Sequence, residues 1–234
     1  DATPDTNTEA PAADAAERKR NLYLAEFMIP IVKGGSTEMG IDVTSLGIQI
    51  HGGMGFIEET GAAQHYRDAR ISTIYEGTTG IQANDLIGRK TARDGGATAH
   101  AVAAEIDQIA AGLAASADAN LKAIGRSLAD ANAALKRAID WVVPAYGAHP
   151  RAAHAAAVPY LELWGTVAGG WQLGRAALAA AKHLAAGTGD ARFLHAKIVT
   201  ARYYADAILP QAASLAVTIA QAGDSTLALA AEQF

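Results

Sequence analysis

The chain has no cysteine, which excludes disulfides, thiolate metal sites and cysteine nucleophiles. Aromatic residues make up 6% and charged residues 18%. Nineteen basic side chains against 24 acidic ones give a net charge of -5. With no basic stripe, no nucleic-acid partner is expected. No uninterrupted apolar run reaches the roughly 20 residues of a membrane helix, so no membrane span is expected. A secretory h-region is absent from these residues, and the expected compartment is the cytoplasm. No Glu is followed by His three residues later, the pair that a di-metal bundle needs on one helix face. The seven histidines are scattered singly, and no metal site is expected.

What is abundant is alanine, about a quarter of the 234 residues. It is the strongest helix former and a poor strand former. Half of the chain is apolar, too much for a disordered chain. The expected fold is all-α, an up-and-down set of antiparallel helical bundles without a β-sheet. Residues 1–11, rich in Pro, Thr and acid, read as a mobile leader. Pro30 suits a first turn, which predicts a new helix over 30–51. Its apolar positions Ile31, Met39, Ile41, Val43, Leu46, Ile48 and Ile50 fit burial on most sides. Gly34 and Gly35 mark close packing or a kink. A short helix is expected over 59–69, an irregular segment over 71–75, and a further helix from Gly77 to before Asp94. After Gly96 the composition shifts to Ala-rich amphipathic helices. They are expected over 121–146, over 151–186 with a kink at Pro159, and over 191–222.

Two motifs fail on context. His51-Gly52-Gly53 resembles a lipase oxyanion signature, but the G-x-S-x-G elbow is missing. Gly53-x-Gly55 is half a dinucleotide fingerprint, but it follows a helix rather than a strand. The unusual segment is Ile74-Tyr75-Glu76-Gly77-Thr78-Thr79-Gly80-Ile81-Gln82, which sets a carboxylate where an irregular stretch meets a helix. Glu76 reads either as a first-turn acid stabilised by the helix dipole or as a functional carboxylate.

Three stretches in order carry a resemblance: Gln49-Ile50-His51-Gly52-Gly53-Met54-Gly55-Phe56, Tyr66-Arg67-Asp68-Ala69-Arg70 and Tyr75-Glu76-Gly77-Thr78. Together they resemble the C-terminal helical domain of the acyl-CoA dehydrogenases. The match is closest over residues 30–95. Residues 97–234 are similar to the extra helical module of a longer bacterial subgroup that includes the methylthiopropionyl-CoA dehydrogenases. The resemblance divides the chain into a partial dehydrogenase C-terminal domain over 12–96 and a helical extension over 97–234.

The resemblance implies that Glu76 is the base that removes the α-proton of an acyl-CoA thioester. The β-hydride would pass to FAD, giving a trans-2-enoyl-CoA. A thioester α-proton is weakly acidic, so such a base works best once desolvated. The developing enolate oxygen needs donors, which the family supplies from the main-chain N–H of this glutamate and from the flavin ribityl chain. Gln49, Ile50, His51, Gly52 and Gly53 would meet the FAD of a neighbouring subunit. Thr78, Thr79 and Gly80 would touch FAD, and Gly77 the substrate. Gly80 departs from the longer polar residue that relatives often carry. Tyr75 reads either as acyl-pocket lining or as core. Arg67 and Asp68 read as a structural ion pair. The implied partners are an acyl-CoA, an electron-transfer flavoprotein and further copies of the chain in a dimer or tetramer.

The family's N-terminal and β domains are missing from this sequence, which opens on Asp1. It therefore reads as a piece of a longer enzyme, inactive alone. The competing reading is a non-catalytic helical scaffold or oligomerisation module.

Overall fold

The computed structural model describes residues 12–233, so the leader expected over 1–11 lies outside the described residues. Among those residues there are helices and turns but no strand, as the alanine content requires. The helix α1 runs from Ala12 to His51, α2 over Gly53–Phe56, α3 over Ala62–Ile71 and α4 over Thr79–Asp85. A π-helical turn at Leu86–Thr91 and a 3-10 turn at Ala92–Asp94 follow. Gly95 and Gly96 end this segment with φ of 68° and 84°, where the paired glycines predict a stop.

The second half holds α5 (Ala97–Ala114), α6 (Ala119–Ala148), α7 (Pro150–Ala155), α8 (Ala157–Ala185), α9 (Ala191–Ala207) and α10 (Gln211–Thr226). Asp118 and Asp190 cap α6 and α9, each accepting from the first free backbone N–H groups. Helices α6 and α8 form the centre, α5 packs on α6, and α9 and α10 pack on both central helices. One core runs through the molecule. Phe27 and Ile31 of α1 and Leu86 and Ile87 of the π turn join Leu128, Leu135, Tyr160 and Trp164. Phe27 meets the Trp164 ring edge-on at 4.9 Å.

Several boundaries differ from the sequence expectation. Pro30 does not start a helix: it lies inside α1. A proline there costs roughly 3 kcal/mol, offset by burial of Pro30 between Phe27 and Ile31. Gly61 (φ 75°) delays α3 to Ala62, because a left-handed residue cannot continue the 3-10 turn at Glu58–Thr60. The long helix expected over 151–186 breaks at Ala156, so Pro159 falls in the first turn of α8, where it replaces no hydrogen bond. The helix expected over 191–222 breaks at Ile208–Pro210 into α9 and α10.

Gly34 and Gly35 serve close packing. A Cβ at Gly34 would stand 2.6 Å from Leu161, and one at Gly35 would stand 3.7 Å from the Gly165 Cα of α8. The opposite side of α1 is not buried on most sides as expected. Met39, Val43 and Leu46 are more than half exposed, and Ile50 is 83% exposed. With Ile29 and Val32 they recur in steps of three, four or seven, the spacing of a helix face built to meet another helix. Phe27, Ile31 and Ile41, on another side of α1, are buried.

Candidate active site

The segment between α3 and α4 is short and heavily hydrogen-bonded. Ile71 O accepts from the N–H groups of Ile74 (3.0 Å) and Tyr75 (3.1 Å), and Thr79 N–H donates to Thr73 O (3.2 Å). Glu76 sits at the apex with φ 52°, alone among described non-glycine residues in the left-handed region. For an L-residue this region costs roughly 1–2 kcal/mol. Gly77 follows at φ 90°. Thr78 then caps α4, its hydroxyl accepting from Ile81 N–H at 3.2 Å. Glu76 therefore lies two residues before the cap, and the first-turn reading of its carboxylate does not hold.

Glu76 is exposed, and among the described residues no side chain bonds its carboxylate. Its main-chain N–H likewise meets no acceptor there. Tyr75 is half exposed, with the Lys33 ammonium 5.8 Å from its ring centre, and is not part of the core. Gly77 leaves little room: a Cβ would stand 2.8 Å from Gln82 Nε2. At Gly80 the nearest atom to a built Cβ is the Thr78 hydroxyl at 3.8 Å, so a side chain fits there. The Thr79 hydroxyl donates to Glu38 of α1.

Sequence reasoning missed two residues of this site, both on α1. Lys33 Nζ donates to the carbonyls of Ser72 (2.8 Å), Tyr75 (3.1 Å) and Gly77 (2.7 Å), while Glu38 holds Thr79. The only signal was a lone lysine in the otherwise apolar and glycine stretch from Ile29 to Gly35.

Residues Gln49 to Gly53 lie elsewhere. Gln49 follows Lys33 by sixteen positions on one helix, about 24 Å at roughly 1.5 Å per residue. The structure thus brings Tyr75, Glu76, Gly77, Thr78, Thr79 and Gly80 together and leaves Gln49, Ile50, His51, Gly52 and Gly53 apart, all exposed. His51 Nδ1 approaches Gly47 O at 2.8 Å. Gly52 takes φ 61°, ψ -143°, a conformation open in practice only to glycine. Gly55 is forced as well, since a Cβ would stand 2.3 Å from Ile48 O.

Arg67 does not pair with Asp68. Its guanidinium grips Glu58 with two bonds, 2.8 and 2.7 Å, because neighbouring residues on a helix point apart. That pair holds the Glu58 carboxyl below, and the Arg67 guanidinium above, their ordinary pKa. A concavity of about 830 Å³ lies by Trp141, His149, Arg151 and Asp224, and none of the motif residues lines it.

The described helices thus present an exposed carboxylate on a left-handed turn, with one apolar face of α1 uncovered. Its C-terminal half, residues 102–230, matches the family model "Acetyl-CoA dehydrogenase C-terminal like", and residues 7–91 match "Acyl-CoA dehydrogenase, C-terminal domain". The chain belongs to the acyl-CoA dehydrogenase family, whose members are FAD-dependent flavoproteins. It is 52% identical over 204 residues to 3-methylmercaptopropionyl-CoA dehydrogenase of Ruegeria pomeroyi, covering 87% of this chain and 34% of that protein. Broad-specificity linear acyl-CoA dehydrogenase FadE5 of Mycobacterium tuberculosis is 29% identical over 209 residues, 86% of this chain and 34% of that one. The short-chain specific acyl-CoA dehydrogenase of Sus scrofa mitochondria is 44% identical over 71 residues, 30% of this chain and 17% of that one. The chain spans about a third of the length of the first two relatives.

Proposed function

We propose that this chain acts as the C-terminal helical portion of an FAD-dependent acyl-CoA dehydrogenase, with Glu76 as the base that removes the substrate α-proton. The observation that carries the reading is the left-handed turn at Glu76. It leaves both the carboxylate and the main-chain N–H of one residue without partners among the described residues. A base must be free to accept, and an enolate oxygen needs a preorganised donor. One residue offers both.

In the proposed reaction the Glu76 carboxylate takes the α-proton and becomes neutral, while its N–H donates to the thioester oxygen as negative charge builds there. Closure of the site by the remainder of the enzyme would desolvate Glu76 and raise its basicity. In this reading Gly77 would touch the substrate, and the half-exposed Tyr75 would line the acyl pocket.

The residues present fit the edge of a flavin site. Built Cβ atoms at Gly52 and Gly53 meet nothing within 4 Å, so a cofactor can approach this backbone closely. The nearby Met54 and Phe56 are 58% and 82% exposed and offer an apolar cover. Gln49 to Gly53 would hold one flavin, and Thr78 to Gly80 another, in keeping with the sixteen positions of α1 between Lys33, which holds the Gly77 carbonyl, and Gln49, and with a homo-oligomer. FAD, when bound, supplies the acceptor for the β-hydride. The exposed face of α1 at Val32, Met39, Val43, Leu46 and Ile50 is where the rest of the enzyme would pack. An electron-transfer flavoprotein as oxidant and a cytoplasmic setting complete the reading. Both rest on the family resemblance, with no membrane-crossing helix among the described residues.

The test is anaerobic mixing of the intact protein with short- and medium-chain acyl-CoAs. Flavin absorbance that bleaches on mixing supports the enzyme. A colourless intact protein would instead favour the scaffold.

A further inference from the structure

We infer that Lys33 is a positioning residue for the Glu76 turn, an inference that rests on Glu76 being the base. The ammonium has three N–H donors, and each is aimed at a main-chain carbonyl: Ser72 at 2.8 Å, Tyr75 at 3.1 Å and Gly77 at 2.7 Å. These carbonyls come from both sides of Glu76, so one side chain fixes the turn before and after its strained residue. Lys33 forms no ion pair with a carboxylate among the described residues. Its charge is directed instead at the carbonyl-rich end of α3, where Ser72 is the C-cap and a cation is favoured by the helix dipole.

The platform beneath is rigid. Lys33 precedes Gly34, whose missing side chain lets α1 press on Leu161 of α8, and follows the buried Pro30 and Ile31. Glu38, five residues on, takes the Thr79 hydroxyl. Together the two side chains tie the loop to α1 on each side of Thr78. A left-handed glutamate relaxes to ordinary backbone angles unless its surroundings fix it, and the lysine supplies that constraint. Without it the turn relaxes, the carboxylate and its N–H move off the reacting atoms, and proton abstraction slows. Misplacement by about 1 Å costs on the order of 10²-fold in rate.

The experiment uses the intact flavoenzyme with Lys33→Met, Lys33→Arg and Glu76→Gln made in parallel. Three readouts are taken for each: flavin content, kcat against KM, and the isotope effect with α-deuterated acyl-CoA. Lys33→Met is expected to keep its flavin and its KM within about twofold, and to lose kcat on the order of 10²-fold. Its isotope effect should rise, because proton transfer becomes more rate-limiting. Lys33→Arg, which keeps charge and donors, should return to within about tenfold of the unaltered enzyme.

A Lys33→Met enzyme within about threefold of the original kcat, beside an inert Glu76→Gln, overturns this inference and leaves the base assignment standing. A lower kcat with an unchanged isotope effect overturns it too, since that reports a smaller active fraction. Loss of flavin by both lysine variants has the same meaning, because Lys33 would then hold the fold rather than the turn. An active Glu76→Gln enzyme removes the base assignment and this inference with it.

Discussion

Two glycines on the α5–α6 pair should respond oppositely to the same substitution. At Gly125, buried on α6, an added Cβ would stand 2.5 Å from Ala114 N and 2.7 Å from Ala110 O. Both are backbone atoms of α5 and cannot rotate away. To reach ordinary contact near 3.4 Å, the helices must separate by roughly 1 Å, which loosens the packing of Leu121 and Leu128 against α5. Overpacking of this kind costs about 1–3 kcal/mol. The gain in helix propensity from Gly to Ala returns up to about 1 kcal/mol. Gly125→Ala should therefore destabilise by about 1–2 kcal/mol, the upper part of that balance, because backbone is what must move. Gly112 lies on α5 itself, exposed, with nothing within 4 Å of a built Cβ. There only the propensity term acts, and Gly112→Ala should stabilise by about 0.5–1 kcal/mol. For a chain of this size 1 kcal/mol moves Tm by roughly 2–4 °C. Urea and thermal unfolding followed by circular dichroism resolve both signs. Gly125→Ala as stable as the original chain would refute the packing argument, and so would a destabilising Gly112→Ala.

Burial raises the Tyr160 hydroxyl pKa well above 10.0, against a smaller lowering by its bond to Thr91, and burial raises Tyr204 as well. An unfolded tyrosine loses its proton near pH 10 while these keep theirs, so the native state binds more protons and stability falls as pH rises above about 10. Urea midpoints between pH 8 and 11 should decline at the alkaline end, and more gently in Tyr160→Phe. Separately, the 234-residue chain purified alone should be colourless and inactive. It offers few flavin contacts against an association cost on the order of 4–15 kcal/mol. Stoichiometric flavin surviving gel filtration would contradict that.

The all-α fold was legible because alanine content and helical spacing are local properties. The helix end at Gly95–Gly96 followed from glycine chemistry. What escaped the reading was set by tertiary contact. Pro30 reads as a helix start, yet stays inside α1 because Phe27 and Ile31 are buried on either side of it. The breaks at Ala156 and Ile208 carry no glycine to announce them. At the site, the Tyr75–Thr78 motif located the turn through its likeness to a family. Its left-handed glutamate and the lysine beneath it were not readable, since Lys33 lies 43 positions upstream of Glu76 and only folding brings them together. The apolar positions of α1 were read as buried from periodicity alone. Periodicity shows that a face is built for contact, not which part of the protein covers it.

The central claim is that Glu76 takes the α-proton, and single-turnover flavin reduction in the Glu76→Gln enzyme tests it most directly. The amide keeps the size of the side chain and cannot accept the proton. Flavin content should be unchanged and reduction by acyl-CoA nearly abolished. Retention of more than about a tenth of the rate, a barrier change below about 1.4 kcal/mol, would contradict the assignment.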